Sequence, residues 1–287
     1  MPDQYRLSIL HVSDLHARSL DVDDLPEELR EGRRRQVERE AASRVRVLGD
    51  AWEENLRKLY PSGKPDLVCF TGDVADWGLR AEYVTAQAFI ENLMAVLGVE
   101  RSQIYVVPGN HDVQRYVSKS QWKRLRVLLA ERPREVSDWL AGGKPPKGVT
   151  NRVVDAITQR TAAFWAWVEH GLERPELLPA RHLHRRLGYC LPASVDRPFP
   201  VHVIGLDSAW MAGDDDDSGK LWLTQHQRDM LLYDGGQKRS GFRLALMHHP
   251  LRDLADRAES RSTLAETVDL VLHGHQHDPE GICWSDP

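Results

Sequence analysis

The chain has 287 residues, of which 41% are hydrophobic, and its formal net charge is −5. This length and composition suit one large α/β domain, and the nearly balanced charge does not by itself indicate a polyanionic partner. The three cysteines are far apart and form no CxxC pair, which argues against a disulfide framework or a structural zinc site. The amino terminus lacks a signal-peptide pattern and no apolar run could span a membrane, so we expect a cytoplasmic protein.

Short β-branched runs, each about as long as a buried strand, end abruptly in polar residues. In chain order they cover residues 6–12, 66–70, 103–107, 201–206, 242–247 and 268–272. Between them, the spacing of apolar residues predicts helices over 81–97, ending at Gly98, and over 224–232, beginning at Thr224. Strands that alternate with helices predict an α/β fold with its functional residues at the strand ends.

Two insertions interrupt this alternation, at about residues 17–64 and 113–200, within a single domain that covers residues 1–287. The first is rich in Arg and Glu and predicts a long exposed helix or a helical pair. Its basic stretch, 30–46, also contains acidic residues, so we expect a solvated helix face rather than a nucleic-acid groove. The second predicts helices over 119–131 and 151–170 that form a cap. A basic cluster at 181–186 could grip a phosphodiester from this cap or could equally be a surface loop.

The strand-like runs end in side chains that can bind metal ions. They are oxygen and imidazole donors with no thiolate, a set that suits Mn, Fe, Zn or Co. The candidates are Asp14, His16, Asp73, Asn110, His248, His275 and His277. In each Asp-x-His or His-x-His pair, the alternation of an extended chain directs both side chains to one side. Asp112 is a further oxygen donor, but we expect it to cap backbone groups instead.

The ordered motifs DxH, GD, GNHD, HH and GHxH resemble those of the calcineurin-like metallophosphoesterase superfamily, over residues 5–112 and 201–277. The resemblance implies a four-layer α/β/β/α sandwich whose site lies at the carboxyl ends of the strands. It implies two divalent metal ions, with manganese favoured, and hydrolysis of a phosphodiester by a metal-bridging hydroxide, monoesters being left open. The ligands it implies are Asp14, His16 and His277 for one ion, Asn110, His248 and His275 for the other, and Asp73 as the bridge. His249 is left to orient neighbouring groups.

The same resemblance implies that His111 is the catalytic histidine and that Asp76 orients it. Trp77 stands where serine/threonine phosphoprotein phosphatases carry a phosphate-binding arginine, which argues against that branch. The stretch Leu206-Asp207-Ser208, Gly219-Lys220-Leu221 and Gln225 is similar to the LDS…GxL…Q pattern of the branch that contains class III cyclic-nucleotide phosphodiesterases.

Alternatives to a small-molecule phosphodiesterase remain open. A metal-dependent nuclease could use the two basic stretches and the cap to bind a nucleic-acid strand. A sensor or effector module would instead be one part of a larger chain. Only ten residues follow His277, so we expect either a fragment of a longer polypeptide or a sheet that ends early. An open sheet edge there would need a further domain or a partner chain.

Overall fold

The computed structural model of the chain describes residues 6–48, 51–61, 63–179, 187–214 and 216–276. Within these ranges, none of the helices combines the length and the apolar character that a membrane crossing requires.

Seven of the described strands form two sheets, one of three strands and one of four. The first sheet is parallel, in the order β1-β2-β3, and consists of Ile9–Val12, Leu67–Phe70 and Ile104–Val106. The second has the order β4-β5-β8-β9, with β4 antiparallel to β5, and consists of Tyr189–Pro192, Val201–Gly205, Phe242–Met247 and Leu270–His273. A small hairpin pairs β6, Tyr233–Asp234, with β7, Gln237–Lys238. The mixed α/β class predicted from the sequence is confirmed, and the number of layers stays a prediction.

The α-helices lie between and beyond these strands. In chain order, α1 to α9 are Glu27–Leu48, Ala51–Leu59, Arg80–Leu97, Lys119–Glu131, Pro133–Leu140, Asn151–Thr158, Ala162–His170, Thr224–Leu232 and Arg257–Thr267. Helix α3 ends as predicted at Gly98, whose φ of 66° lets its N–H donate to the Met94 carbonyl. Helices α4 and α8 also match their predicted bounds.

Both faces of the second sheet are buried. Along β8, Leu244 and Leu246 pack into the cluster that contains the first sheet and α3, whereas Ala245 and Met247 pack into a second cluster. That second cluster includes Leu231 of α8 and Leu264 of α9. The alternation follows from the period of two along a strand, and it explains why the runs read as continuously apolar rather than alternating.

Helices of the second insertion form an apolar cluster together with Trp210 and Met211. This cluster includes Trp122 of α4 and the fully buried Trp139 of α5, whereas Phe164 of α7 packs into the cluster of the first sheet. The helix predicted over 151–170 is interrupted, because a 3-10 turn at Gln159–Thr161 separates α6 from α7. In that turn the Thr161 hydroxyl donates to the carbonyl of Thr158, 3.2 Å away. Such back-bonding bends helices and accounts for the break that apolar spacing alone does not reveal.

The first insertion differs from its prediction. Helix α1 is long, as expected, but Arg33 is not on a solvated face, because its side chain is fully buried. It forms ion pairs with Asp76 and Glu82 beside the first sheet. Arg35, two residues further on, does face solvent and pairs with Glu31. The charged residues of α1 therefore lie on two faces, since Arg35 faces solvent and Arg33 faces the protein interior.

Candidate metal centre

The candidate ligands meet because their strands end at one edge of the structure. Asp14 and His16 follow β1, Asp73 follows β2 and Asn110 follows β3. His248 and His275 follow β8 and β9 of the second sheet. Parallel strands direct their carboxyl ends to a common edge, so residues far apart in sequence become neighbours there. His277, the remaining predicted ligand, lies outside the described residues.

The backbone of this edge is strained at several candidate ligands. Asp14, His16, Asp73 and His275 all have positive φ angles, of 57°, 46°, 53° and 69°. Non-glycine residues rarely adopt this left-handed region, which costs each of order 1–3 kcal/mol and persists where the surroundings enforce it. Part of that enforcement is the hydrogen bond from the His16 N–H to the Asp73 carbonyl, at 2.7 Å. Such strain concentrates at functional sites.

Asp73 lies at the centre of the cluster and is 2% exposed. Its Oδ2 is 3.8 Å from Nε2 of His16 and 3.2 Å from Nε2 of His248. Its Oδ1 accepts a hydrogen bond from the His111 N–H at 2.8 Å. Burial alone would raise the pKa of Asp73, but the charge and hydrogen bond of His248 and the charges of His111 and His16 lower it. The carboxylate is therefore anionic and faces two separate imidazoles.

His248 tests whether a cation fits among these groups. Its Nδ1 lies 2.7 Å from the Thr71 carbonyl, which can only accept, so Nδ1 carries the hydrogen. Its Nε2 lies 3.0 Å from the Asn110 Oδ1 and 3.2 Å from the Asp73 Oδ2, which are both acceptors. Burial lowers the pKa of His248, but the charge and hydrogen bond of Asp73 raise it to about 9, so in the metal-free chain a proton on Nε2 lies between these groups. Converging lone pairs repel each other unless a cation or a proton lies between them. The donor set therefore fits a metal ion at this point, with the second imidazole nitrogen oriented as in many metal sites.

His249 and His275 lie beside His248, and nitrogens of all three come within 4.8 Å of one another. The Ser208 Oγ accepts hydrogen bonds from the N–H groups of His248 and His249, so its own hydrogen is available to Nδ1 of His249 at 3.0 Å. That bond leaves the hydrogen of His249 on Nε2, which makes Nε2 a poor ligand. This geometry favours His248 over His249 as a ligand. His275 is anchored through its N–H, which donates to Asp14 Oδ2 at 3.3 Å.

Asp14 and His16 form a second group of donors around Asp73, and Asp14 also lies close to His248. Nε2 of His16 is 3.9 Å from Asp14 Oδ1 and 3.8 Å from Asp73 Oδ2. Two ligands that each lie about 2.1 Å from one ion are at most about 4.2 Å apart, so these separations allow a shared cation. Nδ1 of His16 lies 3.2 Å from Oδ1 of Asp76. A carboxylate behind a ligating imidazole fixes the orientation of its ring.

His111 stands at the open side of this group, with a side chain 35% exposed. Its Nδ1 donates to the backbone carbonyl of Asp76 at 2.7 Å, and the Asp76 Oδ1 is 3.5 Å away. Burial lowers the pKa of His111, but the hydrogen bond to Asp76 and the charge of Asp73 outweigh it, so the pKa is raised. Asp76 thus lies where the sequence predicted, although its carbonyl makes the closer contact with the ring.

The sequence pattern of the calcineurin-like phosphoesterase family matches residues 7–279. The chain belongs to this family. No curated protein matches the chain. Family membership and the clustered histidines and aspartates together support a metal-dependent phosphoesterase, as the motifs predicted.

The glycines of the family-like motifs are required by close packing around the phosphoesterase site. A Cβ on Gly72 would lie 2.6 Å from Nδ1 of His248, and one on Gly109 would overlap the Asp73 carboxylate. Gly72 also has a φ of 95°. A side chain at either position would displace a candidate ligand, which explains the glycine directly before Asp73 and before Asn110.

Residues around the phosphoesterase site include several that the sequence analysis assigned differently or missed. Asp112 caps backbone groups as predicted, because it accepts from the N–H groups of Val74, Ala75 and Gly109. In the LDS-like stretch, Gln227 rather than Gln225 contacts Asp207, through an amide oxygen 2.6 Å from the Asp207 N–H. Gln225 is exposed. Helical spacing from the buried Leu231 would have identified Gln227, since the two lie four residues apart.

Arg18 and Arg33 were also missed as site residues. The Arg18 Nε donates to Asp76 Oδ2 at 2.6 Å, and Arg18 also pairs with Glu40 of α1. Arg18 lies two residues after His16, so its position next to a motif was the only signal available. No sequence signal indicated Arg33, because it lies inside a charge-rich helix that contains no motif.

Proposed function

We propose that this protein is a dinuclear phosphodiesterase. Asp73 carries the proposal, because its Oδ2 lies 3.8 Å from Nε2 of His16 and 3.2 Å from Nε2 of His248, so the carboxylate is within reach of an ion held by either imidazole. The proposed ligands of one ion are Asp14, His16 and His277, and those of the other are Asn110, His248 and His275. This oxygen and imidazole set suits Mn, Fe, Zn or Co, with manganese favoured.

Divalent ions bound here would supply an activated water and neutralise charge on the phosphoryl oxygens. The protein contributes the proton donor. Because Nδ1 of His111 is committed to the Asp76 carbonyl, Nε2 is the nitrogen that faces outward and can give a proton to the departing alkoxide. The raised pKa of His111 favours the protonated ring that this step needs.

A phosphodiester is favoured over a monoester by the ion pairs of two guanidinium groups near the site, those of Arg18 and Arg33. A monoester is largely dianionic at neutral pH and gains most from an arginine that is free to grip it. Arg18 is instead held by Asp76 and Glu40, and Arg33 by Asp76 and Glu82. Trp77 stands in the arginine position of the phosphoprotein phosphatases, with the Arg33 guanidinium 5.0 Å from its ring centre. A singly charged diester requires less positive charge from the protein.

The nuclease alternative has less support from α1 than its sequence suggested. Arg30 and Arg34 both lie within 4.0 Å of Asp23, and Arg35 pairs with Glu31. Arginines paired with carboxylates release few counterions on binding a phosphate backbone. The second basic stretch, 181–186, lies outside the described residues.

The test is a comparison of substrates on protein loaded with Mn²⁺. An aryl phosphodiester, an aryl phosphate monoester, cyclic AMP and a single-stranded oligonucleotide are assayed at equal concentration, with the metal-free protein as control. Faster turnover of a small diester than of the monoester supports the proposal. Oligonucleotide cleavage that falls steeply with salt would instead indicate the nuclease. Two bound ions with no hydrolysis of any ester would contradict the enzyme and favour the sensor module.

A further inference from the structure

Helix α1 contacts the active-site region through one buried arginine. The side chain of Arg33 has no exposed surface, and its Nη2 lies 2.7 Å from Asp76 Oδ2 and 2.8 Å from Glu82 Oε1. Its Nη1 donates to Oε1 of Gln36, one helical turn further along α1, at 3.2 Å. A guanidinium has fixed planar geometry, so these contacts define both its position and its orientation.

The two oxygens of Asp76 have different partners. Oδ1 faces the imidazoles, at 3.2 Å from Nδ1 of His16 and 3.5 Å from Nδ1 of His111. Oδ2 accepts from Arg33 at 2.7 Å and from Arg18 at 2.6 Å. Because a carboxylate turns as a rigid plane, the arginines that hold Oδ2 also determine where Oδ1 lies.

Arg33 is itself held from the opposite side. Glu82 is fully buried at the start of α3, and its Oε2 accepts from the N–H groups of Trp77 and Leu79 at 2.8 and 3.1 Å. Arg33 therefore spans two buried carboxylates, one anchored to the backbone and one directed at the imidazoles. Ion pairs with this little exposure are strongly disrupted when one partner is removed.

The same helix supports the second arginine. Glu40 lies seven residues after Arg33, two turns along α1 on the same face, and it pairs with Arg18. Both guanidiniums that hold Asp76 Oδ2 therefore depend on α1, one by belonging to it and one by binding to it.

We propose that Arg33 is a positioning residue of the site, which holds Asp76 so that its Oδ1 supports His16 and His111. Helix α1 is then part of the active-site scaffold rather than a solvated appendage. The inference rests on the proposed function, since it assigns His16 to a metal ion and His111 to proton transfer.

The experiment compares Arg33→Met with Arg35→Met, a control on the exposed face of the same helix. The first readout is the affinity of the metal-free, full-length chain for Mn²⁺, measured by calorimetry. Loss of an outer contact to a metal-ligating histidine typically weakens binding 10–100-fold, so we expect about a 10-fold loss in Arg33→Met and no change in Arg35→Met. The second readout is kcat at saturating Mn²⁺, which we expect to fall about 10-fold with little change in KM.

A double-mutant cycle with Asp76→Asn separates positioning from general destabilisation. If Arg33 acts through Asp76, adding Arg33→Met to Asp76→Asn weakens Mn²⁺ binding by less than about 2-fold more. An additive loss, or an Arg33→Met protein that matches Arg35→Met, would overturn the inference. An effect that comes only from leaving Glu82 unpaired would be equally large in the Asp76→Asn background, so the cycle would show an additive loss.

Arg33→Lys keeps the inference testable if Arg33→Met does not fold. Lysine retains the charge without the planar fork, so we expect Mn²⁺ affinity between those of the wild type and Arg33→Met, again without further loss in Asp76→Asn. Wild-type affinity and wild-type kcat in Arg33→Lys, together with an additive cycle, would overturn the inference. Because Mn²⁺ binding is measured without substrate, a wild-type chain that hydrolyses no ester refutes the proposed function and leaves the Arg33 result readable.

Discussion

Single residues at the site have separable tasks, and Asp73 and His111 show the contrast. Asp73 is buried and its Oδ2 lies within 4 Å of the imidazoles of His16 and His248, so we expect its charge to be needed for metal binding. His111 contacts the same carboxylate only through its backbone N–H, and its ring lies at the open side. Substitution of the first should therefore affect metal binding and turnover together, and substitution of the second should affect turnover alone.

For Asp73→Asn we expect a loss of bound metal together with a fall in kcat/KM of at least about 100-fold. The amide keeps the shape but removes the negative charge that both imidazole groups face. Metal content by mass spectrometry and kcat/KM are measured on the same preparation. Asp138→Asn, on an exposed position of α5, is the control. An Asp73→Asn protein with two ions and wild-type kinetics would refute the bridging role.

For His111→Ala we expect metal content to be unchanged while kcat falls by about 10²–10⁴-fold on an ester with a poor leaving group. A proton donor matters less when the departing alkoxide is stable, so an aryl ester should show a smaller loss. The ratio of the two losses is the measurement. Equal losses on both esters would assign His111 to binding rather than to proton donation.

Asp207 gives a prediction about stability rather than turnover. Burial raises the pKa of Asp207 to about 7 in the folded chain, despite opposing hydrogen bonds from the N–H groups of Ala209 and Trp210. Its ordinary value is 3.8, so between about pH 4 and 7 the folded state holds a proton that the unfolded state has released. This group therefore makes stability decrease as pH rises through that window.

Asp207→Asn removes this titration. We expect the variant to gain stability relative to the wild type at pH 8 and to gain less at pH 5, as measured by urea unfolding. A stability difference that is the same at both pH values would show that Asp207 does not titrate in this range.

At the scale of helices and strands, an element can be predicted from the sequence when its buried residues are apolar, and less well when they are charged. Helices α3, α4 and α8 follow from apolar spacing because apolar side chains face the core. Helix α1 was predicted from the sequence, but the face that it buries was not. The residue of α1 that is buried against Asp76 and Glu82 is an arginine, Arg33. Hydrophobic periodicity treats Arg33 as solvated, and only a buried carboxylate elsewhere in the chain could reveal the opposite.

The two glutamines of helix α8 differ in burial and contacts, which allows a direct test of the role of Gln227. The Gln227 side chain bonds to the Asp207 N–H and to the carbonyls of Asp207 and Leu223, so it links α8 to the end of β5. Gln227→Ala leaves these buried groups unpaired, and we expect a loss of about 1–3 kcal/mol in the free energy of unfolding. Gln225→Ala, on the exposed face, should change it by less than about 0.5 kcal/mol. Equal effects would contradict the role of Gln227.

At the scale of the whole molecule, the candidate site joins the two sheets. Asp14, Asp73 and Asn110 come from the first sheet, and His248 and His275 come from the second. The motifs indicated which residues gather, because each follows a strand. They did not indicate strand β4, Tyr189–Pro192, which lies inside the 113–200 insertion that was predicted to be helical and pairs antiparallel with β5. The parallel pairings of distant strands, such as β1 with β2 and β5 with β8, leave no local pattern in the sequence.

A metal ion held by donors from both sheets should stabilise the folded chain as a unit, since an unfolded chain does not assemble these donors. An ion present at 100 times its Kd adds about 2.7 kcal/mol, which raises the Tm of a chain this size by roughly 4–5 °C. We expect this rise when metal-free protein receives Mn²⁺, with Asp138→Asn behaving as the wild type and Asp73→Asn showing a much smaller rise. A Tm that is the same with Mn²⁺ and with chelator would mean that the donors of the two sheets do not share ions. In that case metal binding would not account for the position of donors from both sheets around Asp73.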